Sequence, residues 1–564
     1  MKYSLKALLC GKTEKNKSAV LRAAVERMQD GDTLCLDGET LELYPEGAAV
    51  RSYYISNNDS GEKSIAFPLV GKQHITVDGG GARLLLHGRI MPFVIDGCED
   101  VTIRDLFIDY AAPFYAQADI VEADEHHTVL QFDNKEFFCR VKDGNFCFYS
   151  PTDGWEDTVD KCLTMEFDRE KAAPAPYAVQ YFPYTGAGDD SFLRFMYRDV
   201  TLEEQATGRI VMHGDLGFTH TVGNVWVCTH SSREFPGIFI TGSRGVVLED
   251  VTMYHTASMG VIAQISENIA LRRVQAVPRP GSGRMLSVNA DATHFVNCRG
   301  SIELTDCKFV SMMDDALNIH GIYNRVQKKL SENTLLLDFG HFQQYGVQIY
   351  RPGDTVTVFD SDTMRERVRG KVVSAELLNE KEIRLQLDCA VPQPGPHDLT
   401  ENISTAPDIT IRGTESGYNR PRGFLLSTAG KTVVEDCTFY NISCGIQFGC
   451  DMVDWYESGA VQDVTIRGNR FHNSAYTGGP ALLVAPRLRV RTPEEPFNGR
   501  VVIENNSFIQ HEPRLLQAKS IRELVFRGNT FHADASLPAQ PPIGKDGVSI
   551  EACVEVEYEP AVEC

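Results

Sequence analysis

The sequence predicts an all-β fold, a right-handed parallel β-helix with two small antiparallel β-barrels inserted into it. Three observations predict this. A short strand motif recurs along most of the 564 residues, turn residues follow each copy, and no helical stretches alternate with the copies. A repeat of about 20–25 residues, too short to bury its own apolar face, gains a core only by stacking on its neighbours.

The motif is an alternating apolar strand, then Asn, Cys or another small polar residue, then an apolar residue that is often Phe. It reads Val101-Thr-Ile-Arg-Asp-Leu-Phe107, Val246-Val-Leu-Glu-Asp-Val251, Ile302-Glu-Leu-Thr-Asp-Cys-Lys-Phe309 and Thr432-Val-Val-Glu-Asp-Cys-Thr-Phe439. It returns as Val464-Thr-Ile-Arg-Gly-Asn-Arg-Phe471, Val502-Ile-Glu-Asn-Asn-Ser-Phe508 and Leu524-Val-Phe-Arg-Gly-Asn-Thr-Phe531. Alternation at period two marks strands. The recurrent Asn or Cys is expected at an inward turn, bonding the backbone of neighbouring coils, with Val, Ile and Phe stacked inside.

Near the start, Lys17 to Met28 has apolar residues at helical spacing and ends at Asp30–Gly31, so one helix is expected to cap the open end of the solenoid. Two stretches break the repeat. Around 111–218 the strands Asp119-Ile-Val-Glu, Thr128-Val-Leu-Gln-Phe132 and Arg209-Ile-Val-Met212 are punctuated differently, and around 323–407 so are Thr334–Asp338, Gly353–Phe359, Gly370–Ser374 and Ile383–Leu387. Both read as antiparallel hairpins. The expected layout is therefore a cap and first coils over 1–110, a barrel over 111–218, central coils over 219–322, a second barrel over 323–407, and last coils with an acidic tail over 408–564.

Composition narrows function. The formal net charge is −22, with no basic stripe to displace counterions, so a nucleic acid is excluded as the main partner. No apolar run approaches the length of a membrane helix. The apolar piece Ala7-Leu8-Leu9-Cys10 is too short for a signal peptide, which points to a cytoplasmic protein unless the start is truncated. Fifteen cysteines without any C-x-x-C read as reduced, buried residues, and no Cys/His spacing suits a metal. No cofactor is expected. The inserted barrels offer surfaces for a homodimer.

The stretch richest in chemistry is Val288-Asn-Ala-Asp-Ala-Thr-His-Phe295, followed by Met312-Met-Asp-Asp-Ala-Leu-Asn-Ile-His-Gly321. Asp291 and Asp314 are 23 positions apart, one coil of such a helix. That places Asp291 beside Asp314 or Asp315 on neighbouring strands, about 4.7–4.9 Å apart. Carboxyls this close push one pKa upward, giving the protonated and ionised pair that a glycosidase needs. Asn289, His294, Asn318 and His320 lie on the same two coils. Together with Gln264 and Arg284 they are the candidate sugar contacts, and Trp455 is a candidate stacking wall.

These motifs resemble glycoside hydrolase family 110, the exo-acting α-1,3-galactosidases. Asn289 to Phe295, Asn297-Cys-Arg-Gly300 and Met313 to Gly321 carry the resemblance, joined by Ile55-Ser-Asn-Asn-Asp59 and Asn419-Arg-Pro-Arg-Gly423. The resemblance implies a parallel β-helix with barrel insertions. It implies metal-free, inverting removal of terminal α-1,3-linked galactose from linear or blood group B-type glycans, by Asp291, Asp314 and Asp315. The preferred assignment makes Asp314 the general acid, with Asp291 and Asp315 orienting and activating water. Inversion needs carboxyls about 6.5–9.5 Å apart, so acid and base are not expected to be the directly stacked pair. Typical members are exported, and this start shows no export signal. Two rivals remain: a polygalacturonase-like β-helix hydrolase, whose Gly-His-Gly and Arg-x-Lys motifs are not evident, and a non-catalytic glycan-binding β-helix.

Overall fold

The computed structural model describes the chain apart from residues 10–13, 177, 187–193, 231–232, 477, 491–494 and 537–540. Cys10 lies outside the described residues. Each full coil contributes three short strands, illustrated by Asp463–Arg467, Arg470–His472 and Leu482–Val484. Each pairs in parallel with its counterpart one coil earlier and one coil later.

The motif now has a physical reading. The residue before the Asn or Cys bends the chain between the first two strands with a left-handed backbone, φ 56° at Asp436, 65° at Gly468, 56° at Asn505 and 61° at Gly528. Only Gly, Asn and Asp take that conformation readily, which is why the motif reads Asp-Cys, Gly-Asn or Asn-Asn. The next residue turns inward and closes a ladder. Asn469 Oδ1 accepts the Cys437 N–H, Asn506 Oδ1 accepts the Asn469 N–H, and Asn529 Oδ1 accepts the Asn506 N–H, each at 2.9 Å. The three amide Nδ2 groups donate to the carbonyls of Val434, Ile466 and Ile503. The inward Phe residues stack one coil apart, Phe439 on Phe471 at 4.9 Å and Phe471 on Phe508 at 5.0 Å.

The expected helix spans Ser18–Arg27 and buries Leu21, Ala24 and Val25 against the end of the main core. A further short helix, Leu5–Leu9, adds Leu5 to that core. All fourteen described cysteines are unpaired, and most are buried.

The first insertion forms an open seven-stranded antiparallel sheet with a three-stranded sheet packed into the same core. Its strand Val225–Thr229 pairs with Tyr115–Ala123, so the insertion runs past the expected limit of 218 before the coils resume at Ile238–Thr241. In the second insertion Thr334–Phe339, Glu382–Leu387, Arg365–Leu377, Thr355–Asp360 and Asp398–Asn402 follow one another in hydrogen-bonded order. Both ends of that series pair with Leu317–Ser331, which closes a six-stranded barrel. The first residues of this long strand belong to the coil wall, pairing with Thr293–Val296 on one side and Phe424–Leu426 on the other. One strand thus runs from the wall directly into the barrel.

Candidate active site

The third strand of each coil builds the floor of a cavity of about 460 Å³. Register alignment places His294, Asn318, Leu425 and Gln447 in one column on successive coils, and all four line the cavity. Alternate residues of a strand face opposite ways, so this column points out of the core. The walls come from elsewhere. Leu163, Gln180, Phe182 and Met196 reach in from the first insertion, Asn57 from an early loop, and Trp455 and Glu457 from a loop between later coils. The second insertion supports the Trp455 wall. The His341 ring packs on the indole at 4.4 Å, and Gln344 donates to the Trp455 carbonyl at 2.7 Å.

Asp291, Asp314 and Asp315 all line this cavity, on the turns that enter the floor strands. Thr293 aligns with Leu317, and the Ala292 N–H donates to the Asp315 carbonyl at 2.9 Å. Asp291 therefore stacks on Asp315, leaving Asp314 as the offset member. The side chains of Asp291 and Asp315 are 4% and 1% exposed, whereas Asp314, at 13%, is the most exposed of the three.

The environments differ sharply. Burial, reinforced by the Asp314 charge, pushes the Asp291 carboxyl up to about 8. Burial likewise pushes Asp315 up to about 7, although Arg422 opposes this with Nε at 3.2 Å and Nη2 at 2.5 Å. Asp314 is held below the usual carboxylate range despite burial, because Arg420 approaches Oδ1 at 3.1 Å and Arg233 bonds Oδ2. The arginines thus favour the ionised form of Asp314, while burial favours the protonated forms of Asp291 and Asp315.

The other candidates divide. His294 lines the cavity, with Nδ1 2.5 Å from Asp291 Oδ2. Asn318 lines it too, with a buried Oδ1 that has no partner within the protein, a ready acceptor for a hydroxyl. His320 lies behind His294, Nε2 to Nε2 at 2.9 Å. Three expectations of direct sugar contact meet different surroundings. Asn289 donates to the Phe114 carbonyl at 2.7 Å and ties the coil to the start of the first insertion. Gln264 accepts from the Ser56 N–H and donates to the Tyr54 carbonyl, both at 2.9 Å, anchoring the loop that carries Asn57. Arg284 is buried between Asp109 and Glu136, away from the cavity.

Sequence reading did not assign Arg233, Arg420, Arg422, Glu457 or Asn57 to the site. Arg420, Arg422 and Asn57 sat in motifs already singled out. A cluster of three carboxyls needs counter-cations, and Asn419-Arg-Pro-Arg-Gly423 was the nearest supply.

Family models for GLAA-B beta-barrel domain I and GLAA-B beta-barrel domain II match residues 116–226 and 334–398, the two insertions. Alpha-1,3-galactosidase B of Bacteroides thetaiotaomicron is 29% identical over 544 residues, 94% of this chain and 85% of that protein. Alpha-1,3-galactosidase A of Shewanella woodyi is 31% identical over 494 residues, 86% and 78% of the two. Alpha-1,3-galactosidase B of Phocaeicola vulgatus is 31% identical over 564 residues, 93% and 89%. The chain belongs to the α-1,3-galactosidase family. As a member of that family it is a glycoside hydrolase, and the carboxyl cluster lies at the floor of a cavity walled on one side by the first of the two inserted domains that the family models match.

Proposed function

We infer that this α-galactosidase removes single terminal galactose residues from α-1,3-linked glycans, with inversion, using Asp291, Asp314 and Asp315. The observation that carries the exo reading is the closure of the floor. The coil surface of a parallel β-helix is an open groove, and here the first insertion, the Asn57 loop and the Trp455 loop wall it into a cavity. A pocket walled on these sides suits a chain end, whereas an open groove takes a chain middle.

The charges favour a neutral sugar over a uronate. Every arginine lining the cavity is already paired: Arg233 and Arg420 with Asp314, Arg422 with Asp315, and Arg487 with Asp451 and Asp454. Among the described lining residues no arginine stands without a carboxyl partner, which disfavours the polygalacturonase-like reading.

For catalysis, position takes precedence over resting charge. Asp314 is the most exposed of the three, and the leaving sugar of an exo-acting enzyme must lie towards solvent, which supports Asp314 as general acid. Its guanidinium partners favour its ionised form. Binding of the glycosidic oxygen must therefore loosen one of them and draw onto Asp314 the proton that burial favours on Asp315. Asp315, fixed by Arg422, then becomes the base for water at the cavity floor.

The test is direct. The protein is incubated with galactose-α-1,3-galactose and with the blood group B trisaccharide, without added metal, and the anomeric protons are followed by NMR. β-Galactose appearing first supports the reading. α-Galactose appearing first removes inversion, and no galactose from either substrate removes the activity.

A further inference from the structure

Asp291, His294 and His320 form a buried chain whose hydrogen-bond directions can be worked out from its far end. His320 Nδ1 lies 2.6 Å from the Gly321 carbonyl oxygen, which can only accept, so Nδ1 carries hydrogen. A neutral His320 then has a bare Nε2. That nitrogen is 2.9 Å from His294 Nε2, so His294 must donate there. His294 Nδ1 is consequently bare, and it faces Asp291 Oδ2 at 2.5 Å. Two bare acceptors cannot share such a contact, so the Asp291 carboxyl supplies the hydrogen.

We propose that His294 and His320 are positioning residues, a two-imidazole relay that keeps a proton on Asp291 Oδ2 and leaves Oδ1 as an acceptor towards the reacting water. The relay rests on the hydrolase reading above for its purpose, but not for its geometry. Arg233 and Arg420 pair with Asp314 and Arg422 with Asp315, whereas Asp291 bonds His294, so an ionised Asp291 would add charge beside two carboxyls without an arginine partner of its own. Holding Asp291 neutral by a fixed hydrogen-bond direction removes that repulsion and still presents an oxygen to the substrate.

The surroundings agree. Burial pushes His294 down to about 4 and lowers His320, so both imidazoles are neutral near pH 7. The charged groups facing the chain are Asp314, Asp315, Arg233, Arg422 and Glu457. Of these, Glu457 Oε1 is 3.4 Å from His320 Nε2 and would compete for a proton there. It already accepts from Asn57 Nδ2 at 3.1 Å, which relieves that demand.

Two experiments on the full chain test the relay. In the first, ¹⁵N-histidine NMR at neutral pH is compared between the parent and His294→Gln and His320→Gln variants, which identify the two signals. The expected result is neutral imidazoles, with hydrogen on Nε2 of His294 and on Nδ1 of His320. An imidazolium at His294, meaning an ion pair with an ionised Asp291, overturns the proposal. This readout needs no substrate, so it stands even if the galactosidase assay fails. The second is the pH profile of kcat/KM in His294→Leu. Deleting the acceptor weakens the neutral form of Asp291, so the basic limb should move down by about half to one unit. An ion pair predicts movement up, and either that or an unmoved limb refutes the relay. His320→Gln, whose amide can both accept from His294 and donate to Gly321, should restore the parent profile where His320→Leu does not.

Discussion

Replacing Asp291 by Asn should stabilise the protein at high pH while abolishing turnover. The carboxyl is buried and titrates at about 8, against an ordinary value of 3.8. An acid raised in the folded state contributes stability that is fully present below the unfolded pKa and lost as pH rises towards the folded one. The window therefore runs from about pH 4 to pH 8. Four units at about 1.36 kcal/mol each give a ceiling on the order of 5 kcal/mol lost by pH 8.5, and about 1 kcal/mol at pH 4.5. Asparagine cannot ionise, and its amide still donates to His294 Nδ1, so the variant escapes the loss without leaving the imidazole unpartnered. With an unfolding entropy near 2.1 cal/mol/K per residue, a chain of 564 residues should gain about 4 °C in melting temperature at pH 8.5 and about 1 °C at pH 4.5. Paired thermal scans at the two pH values measure this. Equal shifts at both, or a less stable variant at pH 8.5, would refute the claim that Asp291 is held neutral at a cost to the fold.

Asp314→Asn should lose at least about a hundredfold in kcat on a natural disaccharide, yet lose little on an aryl α-galactoside whose phenolate leaves without protonation. A comparable loss on both substrates would reassign the acid. Asn506→Ala should destabilise by about 2–5 kcal/mol, because it strips partners from the buried Asn469 N–H and Ile466 carbonyl. A denaturant midpoint unchanged from the parent would show that the ladder contributes nothing net.

The solenoid was legible because its determinants are local and repeated. Asp436 and Gly468 must adopt a left-handed bend, and Asn469 and Asn506 must face inward, so the same letters recur at each coil. The acidic cluster was legible for the same reason, since coil spacing alone brings Asp291 beside the Asp314–Asp315 pair. The finer alignment was not. Spacing allowed either partner, and the turn between Asn289 and Ala292 sets Asp291 on Asp315. Loop contributions were harder still. Arg233 follows the first insertion and Glu457 sits in an inter-coil loop, and neither has a periodicity that reports its direction. Gln264 and Arg284 show the opposite error. Both lie on or beside the coils that carry the aspartates, but one holds a loop and the other an acidic pair at Asp109 and Glu136. Polar residues near a site and polar residues in it have the same sequence signature.

The contact between Asn57 and Glu457 spans 400 residues of chain. Such a cavity has no partial version during synthesis. A ribosome that has released Asp291, Asp314 and Asp315 has still to deliver Arg420, Arg422, Trp455 and Glu457. The coil wall itself must wait for the second barrel before Leu317 can meet Phe424. Hydrolysis is thus a late product of translation, and a chain cut short anywhere between residues 315 and 457 carries its aspartates without the enclosure around them.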